Sequence, residues 1–247
     1  MKSITTLFLF LILSFAVSAS GKMVSYQVGG KPYEGYYISA SAKAPLILLI
    51  HDWDGLTGYE KKRANMLAEL GYSVFAADLF GAGIRPTEVK DKRQHTGELY
   101  KDRKKMRDLM QAALETAKNN GADINNTVAM GYCFGGAAVL ELARSGADLK
   151  GFVTFHGGLA TPEGQNYAKA KGSLLVLHGT ADANITMEDF AKLANELEKS
   201  GIKHEMISYS GAPHAFTVFD SDRYRADADK KSWQRFTNFL AELLNNK

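Results

Sequence analysis

The chain has 247 residues, of which 45% are hydrophobic and 23% charged, with a formal net charge of +3. That length fits one large domain or two small ones and can bury a sizeable core. So even a charge balance leaves no basic face or tract of the kind that binds nucleic acid or an anionic membrane surface; the densest run, Lys101-Asp102-Arg103-Lys104-Lys105, lies in a helical pattern with acids nearby and reads as a solvated helix face.

The N-terminus reads as an export signal. Lys2 precedes an apolar run over residues 7–17 (LFLFLILSFAV), which ends in the small residues Val17-Ser18-Ala19. This is the order of n-region, h-region and cleavage site in a secretory signal peptide. The run is shorter than the about 20 apolar residues that a membrane span needs. A signal peptide over residues 1–19, cut near Ala19, is therefore expected rather than a retained anchor. Residues 20–247 would form the mature domain, periplasmic or secreted, with no membrane span left after cleavage.

Residues 23–40 read as two strands joined at Gly29-Gly30, a hairpin signal. The apolar run 45–50 suits a strand buried on both faces and ends in the polar cluster His51-Asp52-Trp53-Asp54-Gly55. Helical spacing over 59–70 stops at Gly71, and 72–77 is a second buried strand ending at Asp78. A loop rich in Gly, Pro and charge is expected over 80–96, then one long amphipathic helix over 98–119. The alternation resumes with strand 127–132, helix 134–144, strands 149–155 and 173–178, helix 187–200, strand 204–209 and a last helix near 227–244. Strands alternating with helices predict right-handed crossovers and one α/β domain, its mostly parallel sheet covered by helices on both faces.

In such a sheet, functional groups gather beyond the carboxyl ends of the strands. The only cysteine, Cys133, stands there within Gly131-Tyr132-Cys133-Phe134-Gly135-Gly136. This has the G-x-nucleophile-x-G form, whose small neighbours permit a sharp strand-to-helix turn. The helix start supplies free N–H groups and a positive dipole end, which favour an anion. In an exported chain an unpaired cysteine is an intermolecular partner, a reactive thiol or a small buried hydrophobe; the glycine bracket favours the reactive thiol. A nucleophile needs a base, and the base an orienting acid. Asp182 in "HGTAD" and His214 in "GAPHAF" follow later strands, in the chain order nucleophile, acid, histidine. His178 precedes the turn that carries Asp182 and is expected to brace it, while His156 has no orienting acid in sequence.

Taken together, Cys133 in GYCFGG, Asp182 in HGTAD, His214 in PHAF and the early HDWDG resemble the dienelactone hydrolase family of α/β-hydrolases, over essentially the whole mature chain. The resemblance implies an α/β-hydrolase fold, with Cys133 as nucleophile, His214 as general base and Asp182 as its partner. It implies an oxyanion hole made by the backbone N–H groups of Trp53 and Phe134. Asp52 takes the place of a family glutamate that interacts with the thiol, one methylene shorter. The family's substrate-holding arginines are replaced here by residues within Ala215-Phe216-Thr217-Val218 and Gly81-Ala82-Gly83. Arg85 is the nearby candidate for a substrate contact.

The expected activity is hydrolysis of a small ester, lactone or thioester through a covalent acyl-enzyme, with no cofactor and no metal. A non-catalytic ligand-binding protein on the same fold is the alternative. A redox role for Cys133 lacks a resolving cysteine. Metal hydrolysis through His51, Asp52 and Asp54 lacks a partner ligand spacing. The expected partner is a small-molecule substrate.

Overall fold

The computed structural model describes residues 20–244; the expected signal segment, residues 1–19, lies outside them. Strands β1 (Lys22–Val28) and β2 (Lys31–Ile38) form an antiparallel hairpin. Gly29 and Gly30 turn it with φ of 57° and 75°, the left-handed pair that a two-residue hairpin loop requires. Strands β3 (Pro45–Ile50), β4 (Ser73–Ala77), β5 (Asp123–Tyr132), β6 (Gly151–Phe155), β7 (Ser173–Gly179) and β8 (His204–Tyr209) complete an eight-stranded sheet in the order β1-β2-β4-β3-β5-β6-β7-β8. All pairings from β4 onward to β8 are parallel, and β2 meets β4 antiparallel.

The helices are α1 (Gly58–Glu69), α2 (Val89–Lys101), α3 (Arg103–Asn119), α4 (Phe134–Arg144), α5 (Met187–Ser200) and α6 (Ala226–Leu244). Central strand β3 shows why they divide between two faces. Leu46, Leu48 and Ile50 enter one core with residues of α3, α4 and α5, whereas Ile47 and Leu49 enter the other with residues of α1 and α6. Successive strand side chains point to opposite faces, so a continuous apolar run serves both layers. All five are fully buried, and truncating one, as in Leu48→Ala, would cost about 2–5 kcal/mol.

The segment between β4 and β5 departs from the sequence reading. Helix α2 starts at Val89, inside the expected loop, and the long helix expected over 98–119 is broken at Asp102. Asp102 leaves helical geometry at φ −111° and ψ 76°, and its carboxylate accepts the Lys105 N–H at 2.9 Å. It is the N-cap of α3, a role that short polar side chains fill well. Only Thr96 and Leu99 of α2 are buried, so the helix carries little apolar periodicity to mark it in sequence. Helices α3 and α4 are held together by the fully buried carboxylate of Glu141, which is ringed by Arg103, Arg107 and Arg144.

Candidate active site

The last residue of β5, Tyr132, leads straight into Cys133, which has φ 51° and ψ −112° and is the N-cap of α4. A side-chain-bearing residue at positive φ is strained, and its surroundings fix it. The Cys133 N–H donates to the Phe155 carbonyl at 3.0 Å. The flanking glycines make room for the bend: a Cβ on Gly131 would lie 2.2 Å from the Gly135 carbonyl carbon, and one on Gly135 would lie 2.3 Å from the Ile50 carbonyl oxygen. The turn thus packs backbone on backbone and leaves the sulfur part-exposed in a cleft beyond the carboxyl ends of the central strands.

His214 comes from the loop after β8, and its Nε2 lies 3.1 Å from Cys133 Sγ. Its Nδ1 lies 2.7 Å from Asp182 Oδ2. Asp182 sits in the loop after β7, where Oδ1 accepts the N–H groups of Asn184 and Ile185 at 2.9 and 3.0 Å. His178 Nε2 contacts the Ile185 carbonyl at 3.0 Å and closes the same turn. Cys133, His214 and Asp182 are therefore brought into one hydrogen-bonded line.

Electrostatics follow that line. Burial opposes charge on His214, but its bonds to Asp182 and Cys133 overcome this and raise its pKa to about 10. Burial works against ionised Asp182 too, yet the His214 bond and the two loop amides leave its pKa below the ordinary value. With Asp182 ionised and its own pKa raised, the imidazole keeps a proton on Nδ1 toward Asp182 and one on Nε2 toward the sulfur.

Trp53 and Phe134 both line the cleft, and among the described residues no protein acceptor takes either backbone N–H. Asp52 also lines it, but its carboxylate Oδ1 is engaged by the Asp54 N–H at 2.8 Å. Burial, with Glu60 and Asp54 close by, raises the Asp52 pKa to about 8. His51 is fully buried; its Nε2 accepts the Leu79 N–H at 3.0 Å, so Nδ1 carries the proton and donates to the Asp52 carbonyl at 2.5 Å. Neither ring nitrogen is left for a metal.

Arg85, the expected substrate contact, is not among the residues that line the cleft. Its guanidinium pairs with Glu34 at 2.6 Å and approaches Asp78 at 3.7 Å, and it also donates to the Leu56 and Ile84 carbonyls. The arginines that line the cleft are Arg93, on α2, and Arg223, in the loop before α6. Sequence reasoning missed both, along with Thr96 and Tyr100 of the same wall. The Tyr100 ring meets Phe134 edge-on at 5.5 Å. Burial, and then the nearby Cys133, raises its pKa, so its hydroxyl stays a donor in the cleft. The cleft encloses about 410 Å³, room for a small molecule.

Among solved structures, a dienelactone hydrolase-like promiscuous phosphotriesterase from metagenomic libraries superposes with a TM-score of 0.84 at 30% identity, covering 92% of this chain and 99% of that one. A Klebsiella pneumoniae structure shares the fold, with a TM-score of 0.77 at 19% identity over 90% of this chain and 98% of its own. A Salmonella typhimurium protein that carries the provisional name carboxymethylenebutenolidase is 25% identical over 241 residues, 92% of this chain and 88% of that one. The sheet order and the strand-end site define an α/β-hydrolase. Residues 34–244 match the dienelactone hydrolase family, and the chain belongs to it. It is a hydrolase of that family, acting on a small molecule.

Proposed function

We propose that the chain hydrolyses a small ester, lactone or thioester with Cys133 as nucleophile. The observation that carries this reading is His214, with Nε2 3.1 Å from the sulfur and Nδ1 2.7 Å from Asp182. In the proposed cycle the thiol proton already resides on Nε2, as the raised His214 pKa favours, and the sulfur attacks the substrate carbonyl carbon. The carbonyl oxygen gains negative charge, and the N–H groups of Trp53 and Phe134 stabilise it. The tetrahedral intermediate collapses with cleavage of the bond to the leaving group, which takes the proton from His214. Water then loses a proton to Nε2 and attacks the thioester; the acid departs, and the proton stays on Nε2 beside the freed sulfur.

Arg93 and Arg223 support a narrower substrate. Both line the cleft, and among the described residues neither guanidinium forms an ion pair or hydrogen bond. Two uncompensated guanidinium groups beside the thiol favour a substrate carrying negative charge, which they would hold as planar donors. Removal of the expected signal peptide would place this activity in the periplasm or outside the cell.

The test is mass spectrometry of the purified protein mixed with a slowly turned-over aryl ester. The reading expects an acyl adduct on Cys133, and loss of both adduct and turnover in Cys133→Ala and after iodoacetamide. Unchanged turnover in Cys133→Ala would sink it. Ligand-induced stabilisation without turnover across an ester panel would favour the binding-protein reading.

A further inference from the structure

The loop that carries His214 is contorted, with Ala215 at φ 63°, and the imidazole must still keep its plane between sulfur and carboxylate. Three residues beyond His214, Thr217 is fully buried. Its hydroxyl lies 2.8 Å from His156 Nε2 and 2.8 Å from the Tyr59 hydroxyl. Its carbonyl accepts from Arg63 Nη2 at 2.8 Å, and that guanidinium is paired with Asp229 at 2.5 Å. His156 in turn backs the catalytic ring: the two imidazoles meet edge-on with centroids 5.3 Å apart. One residue thus holds both the loop that bears His214 and the ring on which His214 rests.

From this we infer that Thr217 is a positioning residue for His214, acting through its hydroxyl on His156 and through its carbonyl on the Arg63–Asp229 pair. The inference rests on the thiol-hydrolase reading. The hydroxyl is shared between β6, which ends next to His156, and α1, which carries Tyr59 and Arg63. Burial and then His214 itself push the His156 pKa well below its ordinary value, so His156 stays neutral as His214 takes the proton. A neutral imidazole offers one donor and one acceptor; Thr217 takes up Nε2, and among the described residues the buried Nδ1 has no hydrogen-bond partner. Loss of the hydroxyl would free both rings to tilt.

The test compares Thr217→Val, which keeps the shape but removes the hydroxyl, with Thr217→Ser, which keeps the hydroxyl. Misplacing a reacting group by about 1 Å can cost on the order of 100-fold. Thr217→Val is expected to lower kcat at least about tenfold with KM within about twofold. It should also slow alkylation of Cys133 by iodoacetamide near neutral pH, while Thr217→Ser recovers most of both rates. Equal loss in Val and Ser variants, or kcat unchanged in Val, overturns the inference. Where Thr217→Val does not fold, Tyr59→Phe takes its place, removing one hydroxyl contact at nearly constant volume; there a drop in kcat at constant KM supports the inference, and wild-type kcat overturns it. The alkylation rate reports on the thiol–imidazole pair without turnover, so a failure here is distinguishable from the loss of the hydrolase reading, which Cys133→Ala decides alone.

Discussion

The 2.7 Å bond between Asp182 and His214 links the charge states of two loops that follow different strands. His214 has a folded pKa near 10, above the ordinary histidine value of about 6.5. Its contribution to stability is therefore complete below about pH 6.5 and disappears as pH rises through about 10. Asp182 has the opposite sign. Its folded pKa is depressed, so its contribution is present above the ordinary carboxylate range and lost on acidification. Asp182→Asn removes its own effect and the share of the His214 effect that comes from Asp182, leaving the share from Cys133. The melting temperature of wild type should exceed that of Asp182→Asn most at about pH 5 to 6.5, and the gap should close toward pH 10 and again below about pH 4. A gap that stays constant across this range contradicts the linkage. The same variant should lose kcat on the order of 10²–10⁴-fold, because the imidazole loses the carboxylate that orients it toward sulfur and stabilises its charge.

Arg93 and Arg223 reach the cleft from separate elements, and neither is compensated by a protein carboxylate among the described residues. Each charged hydrogen bond to a bound anion would contribute about 1.5–3 kcal/mol. Arg93→Gln and Arg223→Gln are each expected to raise KM about tenfold for an ester bearing a carboxylate. A neutral ester of the same size should be unaffected within about twofold. Steady-state kinetics on the matched pair of esters provides the measurement. Equal losses on both substrates would show that the arginines shape the cleft without reading charge.

These two groups of residues also show what the sequence could disclose. Cys133, Asp182 and His214 each follow a strand within a short motif, so local pattern marks them. Arg93 lies on a helix with only Thr96 and Leu99 buried, and its charge-rich sequence resembles a loop. Arg85, nearer in sequence to the expected position, is drawn instead to the acids Glu34 and Asp78. The Arg63–Thr217 bond joins residues 154 positions apart, a relation that no local periodicity encodes. Topology alone brings α1 against the His214 loop.

The bend at Cys133 depends on glycine in a way that two alanine substitutions separate. A Cβ on Gly135 would lie 2.3 Å from the Ile50 carbonyl oxygen and 2.5 Å from that of His51. Backbone of the central strand cannot yield cheaply, so Gly135→Ala should destabilise by about 3 kcal/mol and widen the turn. Gly97 lies within α2, where a Cβ meets nothing within 4 Å. Gly97→Ala should stabilise by about 0.5–1 kcal/mol through reduced freedom of the unfolded chain. Chemical denaturation measures both. A tolerated Gly135→Ala would mean that the turn is not held by backbone contact.

Asp52 leads to a pH effect opposite in sign to that of Asp182. Its carboxyl is buried, with Glu60 and Asp54 raising its pKa further, while the Asp54 amide and Lys92 pull only partly against them, and the balance stands at about 8. The unfolded chain releases this proton at about pH 4. Between these values the folded state binds more protons than the unfolded one, so the Asp52 contribution falls as pH rises. Above about pH 8 both states are ionised and the loss levels off. Asp52→Asn keeps the size of the side chain and its acceptor for the Asp54 N–H, but it cannot ionise. The stability of Asp52→Asn relative to wild type should therefore rise by about 1 kcal/mol or more from about pH 5 to about pH 8, and then stay flat. Paired urea titrations at these pH values measure the difference directly. A difference independent of pH would mean that Asp52 is ionised in the fold, and that Lys92, whose ammonium sits 2.5 Å from Asp54, compensates more of the charge in this corner than burial removes.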